Sequence, residues 1–151
     1  MAELMIRPAV EADCDVLCQL LYELAEFEKL TAKFSMTPEL LKKHLFRHGA
    51  KIHALVACQG EAVVGYAFYY FSVGTFSGQW ILHLEDLYTQ PSVRGLGLGR
   101  QLFTALQVEA KKHDCEQLDW HVLNWNTEAI AFYDRLGAER DTEWSRYTLL
   151  A

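Results

Sequence analysis

The spacing of hydrophobic residues predicts two helices followed by a pair of strands in the first half of the chain. Leucines recur at helical spacing within residues 11–27, which predicts an amphipathic helix there. A threonine before Pro38 is typical of a helix start, so a second helix is predicted over residues 38–47. Residues 52–58 and 63–71 are rich in β-branched and aromatic side chains, which predicts two strands joined by a short turn.

Strands and helices alternate in the second half, which predicts an α/β chain of the α+β kind with a mixed sheet flanked by helices. A short extended segment at residues 4–7 precedes the first helix. The further predicted elements are a strand at residues 80–89, a helix ending near residue 112, a strand at 117–122, a helix at 126–136 and a last strand or hairpin at 143–150.

Length and composition bound the class of protein. The chain has 151 residues, of which 51% are hydrophobic and 23% charged, as is usual for a globular protein. This balance excludes a disordered or collagen-like chain, and we expect a single domain over residues 1–151. The net charge of −6 makes general nucleic-acid binding a poor match and favours a cationic partner.

Cysteine usage and hydropathy indicate a cytoplasmic protein without a membrane partner. The four cysteines include no C-x-x-C pair, so free thiols are expected. Residues 1–10 are too polar for a secretory segment, and the longest apolar run, 63–71, is about half of what a membrane span needs. The cysteines are Cys14, Cys18, Cys58 and Cys115.

Two pairs of metal-ligating residues occur at i, i+4 spacing. They are His44 with His48, and Cys14 with Cys18. Each pair would place two ligands on one helix face, as zinc sites often do. Neither pair has a third ligand nearby in the sequence, so we expect no metal.

A glycine-rich turn follows the strand at 80–89 and opens the next helix. It reads Arg94-Gly95-Leu96-Gly97-Leu98-Gly99-Arg100. Backbone N–H groups at such a turn cradle anions, and a guanidinium suits phosphate oxygens. The turn matches neither the Walker loop nor the G-x-G-x-x-G dinucleotide motif, and a tight turn without a ligand remains an alternative.

Two ordered motifs carry a family resemblance. The R-x-x-G-x-G turn and the block N-x-x-A-x-x-F-Y-x-x-x-G-A at 126–138 resemble the GCN5-related N-acetyltransferases. Segments 23–30, 84–86 and 125–126 are similar to the diamine (spermidine/spermine) and thialysine acetyltransferases within that superfamily. The resemblance implies a mostly antiparallel mixed sheet and direct transfer of an acetyl group from acetyl-CoA to an amine.

The resemblance also implies which residues bind the cosubstrate. The glycine-rich turn, Arg94 to Arg100, would hold the pyrophosphate of acetyl-CoA. The backbone N–H of Leu87 would meet the acetyl carbonyl, and the strand near Thr89 would run beside the pantetheine arm. The remaining residues expected at the cofactor are Tyr88, Asn126, Ala129 and Phe132.

Tyr133 and Glu85 are the candidate catalytic residues. A phenol with a pKa near 10 is protonated at neutral pH, so Tyr133 suits the acid that protonates the leaving thiolate. Its alternative role is that of a core aromatic on an apolar stripe. Glu85 matches the family's candidate base, acting through water. Glu85 and Asp86 are adjacent in a strand, so either one faces solvent on a regular strand or a β-bulge turns both toward the site.

Acidic and aromatic side chains are the candidate amine-binding residues. Carboxylates on either side of an aromatic suit a cation, through charge pairing and cation–π contact. For Glu26, Phe27 and Glu28, the alternative is a solvated, charged helix end. The candidates are Glu26, Phe27, Glu28, Glu85, Asp86, Asp119, Trp120 and His121.

The leading hypothesis is an acetyl-CoA-dependent N-acetyltransferase for a polyamine, a diamine or a lysine-like amino acid such as thialysine. A protein acetyltransferase acting on lysine side chains or N-termini is one alternative. A non-catalytic acyl-CoA-binding module is another. By analogy with relatives we also expect a homodimer, with residues 63–71 and 144–150 as candidate interface strands.

Overall fold

The computed structural model describes residues 2–151, and these form two compact units. The first unit ends at His121 and the second is Val122–Ala151. The first unit contains five strands, β1 (Leu4–Pro8), β2 (His53–Gln59), β3 (Ala62–Val73), β4 (Trp80–Thr89) and β5 (Cys115–Trp120). Its helices are α1 (Cys14–Phe27), α2 (Pro38–Phe46) and α3 (Leu98–Lys112), and the second unit contributes α4 (Thr127–Arg135).

The five strands form one sheet in the order β1-β2-β3-β4-β5. The first four are antiparallel to their neighbours, and β5 runs parallel to β4. A parallel pair requires a crossover connection, and α3 supplies it. The expectation of a mixed, mostly antiparallel sheet with flanking helices is therefore confirmed.

The apolar core of the first unit lies between the sheet and α1 with α2. Leu17 and Leu20 of α1 are fully buried there against Tyr66 and Phe68 of β3. Thr37 begins α2 as expected, because its hydroxyl accepts a hydrogen bond from Leu40 N. A second buried stripe follows α3, whose fully or nearly fully buried residues are Leu98, Leu102, Phe103, Leu106 and Ala110.

The entry to α1 differs from a plain helix start. Residues Glu11–Asp13 form a 3₁₀ turn, and α1 begins at Cys14. The Asp13 carboxylate accepts a hydrogen bond from Val10 N and a bidentate pair from Arg7. The hydrogen bond from Arg7 holds the pKa of Asp13 below its usual range. Asp13 thus joins β1 to the start of α1.

The prediction of a last strand or hairpin at residues 143–150 is wrong. Residues 138–151 form no strand or helix, and the large apolar side chains there are exposed. Alternating apolar positions specify a strand only where a neighbouring strand forms hydrogen bonds with the backbone N–H and C=O groups. None of the five described strands pairs with this segment.

Candidate active site

A β-bulge in β4 occurs at Glu85. Phe68 of β3 pairs with Asp86, and the next residue, Tyr69, pairs with Leu84. Glu85 is therefore an extra residue that β3 leaves unmatched. Of the two alternatives left open by the sequence, the structure has the bulge.

The bulge reverses which residues of β4 face α1. Tyr88 belongs to the apolar cluster beneath α1, and Asp86, two positions earlier, shares its face. Leu84, before the bulge, is buried but lies outside that cluster, so it faces away from α1. His83, next to Leu84, is then on the α1 side, and the Glu85 carboxylate lies 3.4 Å from its Nε2. Glu85 and Asp86 are thus adjacent carboxylates presented on one side of the sheet.

Asp86 lies in an environment that disfavours its charge. Burial raises its pKa to about 6, and the charges of Glu85 and Glu28 add to the rise. Burial also raises the pKa of Glu28, at the end of α1. This side of the sheet therefore holds carboxylates that a cation would stabilise.

The hydroxyl of Tyr66 is buried beside these carboxylates and has no hydrogen-bond partner among the residues that the structure describes. Burial raises its pKa well above the ordinary value, with Asp86 and Glu28 as the largest charged contributors. A buried hydroxyl without a partner costs free energy, which a hydrogen-bonding ligand would recover. Sequence reasoning missed Tyr66, because an aromatic residue in a strand is ordinarily core.

Glu23 of α1 connects the helix to the end of β4. The Tyr88 hydroxyl donates a hydrogen bond to its Oε1 over 3.0 Å, and Gln90 Nε2 lies 3.4 Å from both carboxylate oxygens. Burial and this hydrogen bond raise the pKa of Tyr88 to about 12. Glu23 therefore has a structural partner, which the sequence did not single out.

The end of α1 meets the glycine-rich turn. The guanidinium carbon of Arg94 lies 5.6 Å from the ring centroid of Phe27 and 5.7 Å from that of Tyr88. Its Nε donates to the carbonyl of Thr89 over 3.2 Å. Phe27 is partly exposed and Glu26 is exposed, so this corner of the molecule is open to a ligand.

The glycine-rich turn has the backbone that its sequence predicts. Gly95 and Gly97 both have φ of +83°, and a Cβ atom on either would meet nothing within 4 Å. These glycines are therefore needed for conformation and leave open space above the turn. Leu98 is buried in the core and begins α3, whereas Leu96 and Arg100 are exposed.

β4 and β5 part at the site. Their parallel ladder ends at the pair Leu84–Trp120, while β4 continues to Thr89. Beyond Leu84, no described strand pairs with β4 on the β5 side. Such an open strand edge can pair with an extended pantetheine arm. The open edge of β4 and the glycine-rich turn together fit the expected acetyl-CoA.

The three predicted substrate residues at the end of β5 divide between two faces. The Trp120 ring packs on Phe103 of α3, with 4.9 Å between centroids. Asp119 lies on the other face, where its carboxylate contacts His83, and the His121 ring is 5.5 Å from that of His83. His83 was not among the site residues predicted from the sequence.

The second motif lies in the second unit. The Asn126 side chain accepts a hydrogen bond from Ala129 N and so begins α4. Phe132 and Tyr133 are partly buried on α4, with 5.8 Å between their ring centroids. Gly137, with φ of +87°, follows the end of the helix.

The pairs of metal-ligating residues do not extend to a cluster. α2 ends at Phe46, so His44 and His48 do not share a helix. Within residues 2–151, no three His, Cys, Asp or Glu side chains are grouped to hold a metal ion. All four cysteines are free thiols, as expected. None of the described helices has the length and apolar character that would cross a bilayer.

Comparison with known proteins agrees with the family resemblance of the two motifs. Residues 18–138 match the profile described as the Acetyltransferase (GNAT) family. The thialysine N-epsilon-acetyltransferase of Bos taurus is 40% identical over 95% of this chain and 88% of its own. The human spermidine/spermine N(1)-acetyltransferase-like protein 1 is 30% identical over 88% of this chain and 20% of its own.

Solved structures agree on the fold. An integron cassette protein of V. cholerae superposes with a TM-score of 0.82 and 24% identity, covering 100% of this chain and 94% of its own. The family match and the two named relatives confirm the resemblance that was drawn from two motifs. The chain belongs to the acetyltransferase (GNAT) family and is an N-acetyltransferase.

Proposed function

We propose that the enzyme transfers an acetyl group directly from acetyl-CoA to the primary amine of a small cationic substrate. The observation that carries the substrate class is the buried hydroxyl of Tyr66 beside Asp86 and Glu28. An ammonium group would donate to these oxygens and offset the burial and the charge repulsion that raise the pKa of Asp86. A lysine-like amino acid such as thialysine is the first candidate, because a relative that is 40% identical is named a thialysine N-epsilon-acetyltransferase. Polyamines are the second candidate.

Acetyl-CoA supplies the activated acetyl group as a thioester. Exposed N–H groups at the start of α3 and the Arg94 guanidinium would hold its phosphates. The open edge of β4 near Thr89 would orient the pantetheine arm, with the N–H of Leu87 toward the acetyl carbonyl.

Two proton transfers complete the proposed chemistry. Glu85, on the bulge, takes a proton from the ammonium group through water, since only the neutral amine is nucleophilic. Tyr133 donates its phenolic proton to the departing sulfur. The supports for Tyr133 are its place in the second motif and its partly buried ring, so Tyr133→Phe should lower kcat with little effect on the acetyl-CoA affinity.

The test is CoA release from acetyl-CoA with thialysine, lysine, spermidine, putrescine and a histone-tail peptide in parallel. The proposal expects turnover with a small amine and much less with the peptide. Preference for the peptide would support the protein acetyltransferase alternative. Tight acetyl-CoA binding without turnover of any amine would contradict the proposal. Arg94→Ala should weaken acetyl-CoA binding more than amine binding.

We also propose a homodimer in the cytoplasm. The segment after α4 exposes four large apolar side chains, which a second copy would cover. These are Trp144, Tyr147, Leu149 and Leu150. Light scattering should give twice the chain mass, and Trp144→Ser with Tyr147→Ser should give a monomer; a wild-type monomer would contradict the dimer. The free thiols fit a reducing compartment.

A further inference from the structure

His83 of β4 lies between two carboxylates. Its Nδ1 is 2.7 Å from Oδ1 of Asp119 on β5, and its Nε2 is 3.4 Å from Oε2 of Glu85 on the bulge. The Tyr70 ring packs beside the imidazole, with 4.7 Å between centroids. One imidazole therefore links the proposed base to the neighbouring strand.

The two contacts assign different roles to the two ring nitrogens. An ionised carboxylate only accepts hydrogen bonds, so the 2.7 Å contact assigns the proton to Nδ1, donating to Asp119. The lone pair of Nε2 then faces Glu85. Nε2 and an ionised Glu85 are both acceptors, so the 3.4 Å contact becomes a hydrogen bond only when Glu85 holds a proton, which its carboxyl group then donates to Nε2.

Exposure differs sharply along this chain of groups. The His83 side chain is 12% exposed, whereas Glu85 is 52% and Asp119 is 50% exposed. The imidazole is thus a largely covered group between two carboxylates that are each about half exposed to solvent. A proton that enters at Glu85 has a way out at Asp119 that does not pass the bulge.

We propose that His83, oriented by Asp119, accepts the substrate's proton from Glu85 and carries it away from the site. The proposal rests on the proposed function, in which Glu85 is the base. The ammonium proton passes through water to Glu85 and then to Nε2, while the Nδ1 proton passes to Asp119 and on to bulk water. One proton enters and one leaves, and the imidazole regains its Nδ1–H form by exchange with water.

Bound ligands give such a relay its purpose. An amine and a thioester seated against Glu85 would restrict the access of water to that carboxylate, and Asp119, which is half exposed, would then give the proton its path to solvent. Every charged or titratable group that faces the imidazole affects the pH dependence of the relay. These groups are Tyr70 of β3, Glu85 and Asp86 of β4, Asp119 of β5, and His121 just after β5.

The proposal gives Asp119 a role different from binding the amine. A carboxylate that contacts the amine would affect the KM for the amine when it is removed. A carboxylate that orients His83 would affect kcat and its pH dependence instead. His83 and Asp119 are therefore positioning residues, and the KM-against-kcat split separates the two roles.

The experiment is steady-state kinetics from about pH 6 to about pH 9.5 on the wild type, His83→Phe and Asp119→Asn. We expect His83→Phe to lower kcat about tenfold to a hundredfold near neutral pH, with both KM values changed less than about twofold. The deficit should shrink at high pH, where hydroxide accepts the proton. Asp119→Asn should show a smaller loss of the same kind.

Two further variants make the test specific. Imidazole in the buffer should restore part of the kcat of His83→Ala, because a free base can occupy the vacated place. Glu116→Gln is the matched control, since Glu116 is also a carboxylate of β5 but accepts a hydrogen bond from Ser77. Its kinetics should equal those of the wild type. Circular dichroism and acetyl-CoA binding establish that each variant folds.

The alternative outcomes each overturn the relay. An unchanged kcat in His83→Phe shows that the imidazole has no role, and an equal loss at every pH without rescue by imidazole shows a purely structural one. A rise only in the amine KM of Asp119→Asn assigns that residue to substrate binding. No turnover by the wild type overturns the proposed function itself. In that case ¹⁵N NMR of His83 still tests its pairing with Asp119.

Discussion

A Cβ atom on Gly65 would lie 2.8 Å from the carbonyl oxygen of Tyr88 and 3.0 Å from Cγ2 of Thr89. Gly65 is not among the glycines with positive φ, so space, not conformation, requires it. Its missing side chain allows β3 and β4 to approach at the point where Tyr88 bonds Glu23. The position of the proposed pantetheine edge thus depends on a glycine in the neighbouring strand.

Gly65→Ala should therefore damage both stability and cofactor binding. Relieving the clash requires a displacement of β4, which we expect to lower the free energy of unfolding by about 1–3 kcal/mol. Urea unfolding and calorimetric titration with CoA measure the two effects. Gly49→Ala is the control, because Gly49 has φ of +79° with open space around it. It should cost about 1 kcal/mol of stability through strain alone and leave CoA binding intact.

The second prediction concerns the contribution of Asp13 to stability and its pH dependence. Asp13→Asn weakens the bond to Arg7, so we expect the free energy of unfolding to fall by about 2 kcal/mol near neutral pH. The folded pKa of Asp13 is lowered, so this stabilisation is present above the unfolded value of 3.8 and is lost as pH falls through the folded pKa.

Urea unfolding at about pH 7 and at about pH 3 measures the difference between wild type and Asp13→Asn. The difference should shrink at the lower pH, which lies below the unfolded pKa of 3.8, because the carboxyl group of the unfolded chain is protonated there. Asp15→Asn is the control, since Asp15 is exposed in the first turn of α1 and should contribute less than about 1 kcal/mol. Equal losses in both variants at both pH values would contradict the role given to Asp13.

Periodicity and turn residues predicted the elements well, because they reflect local burial and capping. The strand Trp80–Thr89 was predicted at its observed bounds, and Thr37 and Gly137 mark helix ends as expected. The bulge at Glu85 is visible only as a register shift against β3, which depends on pairing between distant residues. Sequence could raise the bulge as one of two alternatives but could not choose it.

The groups that sequence reasoning missed act through tertiary neighbours. Tyr66 has the ordinary pattern of a core aromatic, and only its unpaired hydroxyl distinguishes it. His83 stands two residues before Glu85, and this spacing was the one local signal for their contact. The contact between His83 and Asp119 joins residues 36 positions apart, which no local pattern reveals.

Asp86→Asn should stabilise the protein at high pH. Folding raises the pKa of Asp86 from 3.8 to about 6, so the folded protein binds the proton more tightly than the unfolded chain does. The free energy of unfolding therefore falls as pH rises from the unfolded pKa to the folded pKa, and the full destabilisation is present above the folded pKa. The asparagine variant should recover up to about 3 kcal/mol near pH 8 and nothing near pH 4.

The same change should impair amine binding, because the carboxylate that repels its neighbours attracts the cation. We expect a rise of about tenfold or more in the KM for the amine, with acetyl-CoA affinity unchanged. Glu116→Gln again serves as the control for both measurements. A destabilised Asp86→Asn at high pH would show that the carboxylate has a favourable partner in the folded protein.

Tyr66→Phe separates a ligand-binding hydroxyl from a structural one. Its hydroxyl is buried without a partner within residues 2–151, so removing it should leave the free energy of unfolding unchanged or raise it by about 1 kcal/mol. Tyr88→Phe is the matched control, because that hydroxyl donates to Glu23 and its loss should cost about 1 kcal/mol. The two variants differ from wild type by one oxygen atom each.

The substitution that costs less stability should have the larger effect on the KM for the amine. Tyr66→Phe should raise the KM for the amine about tenfold, since a hydrogen bond to a charged group is worth about 1.5–3 kcal/mol. Tyr88→Phe should leave that KM within about threefold of wild type, because the Tyr88 hydroxyl already bonds Glu23. A Tyr66→Phe enzyme that is destabilised but binds the amine normally would show that its hydroxyl serves the fold. The amine would then be recognised by carboxylates alone.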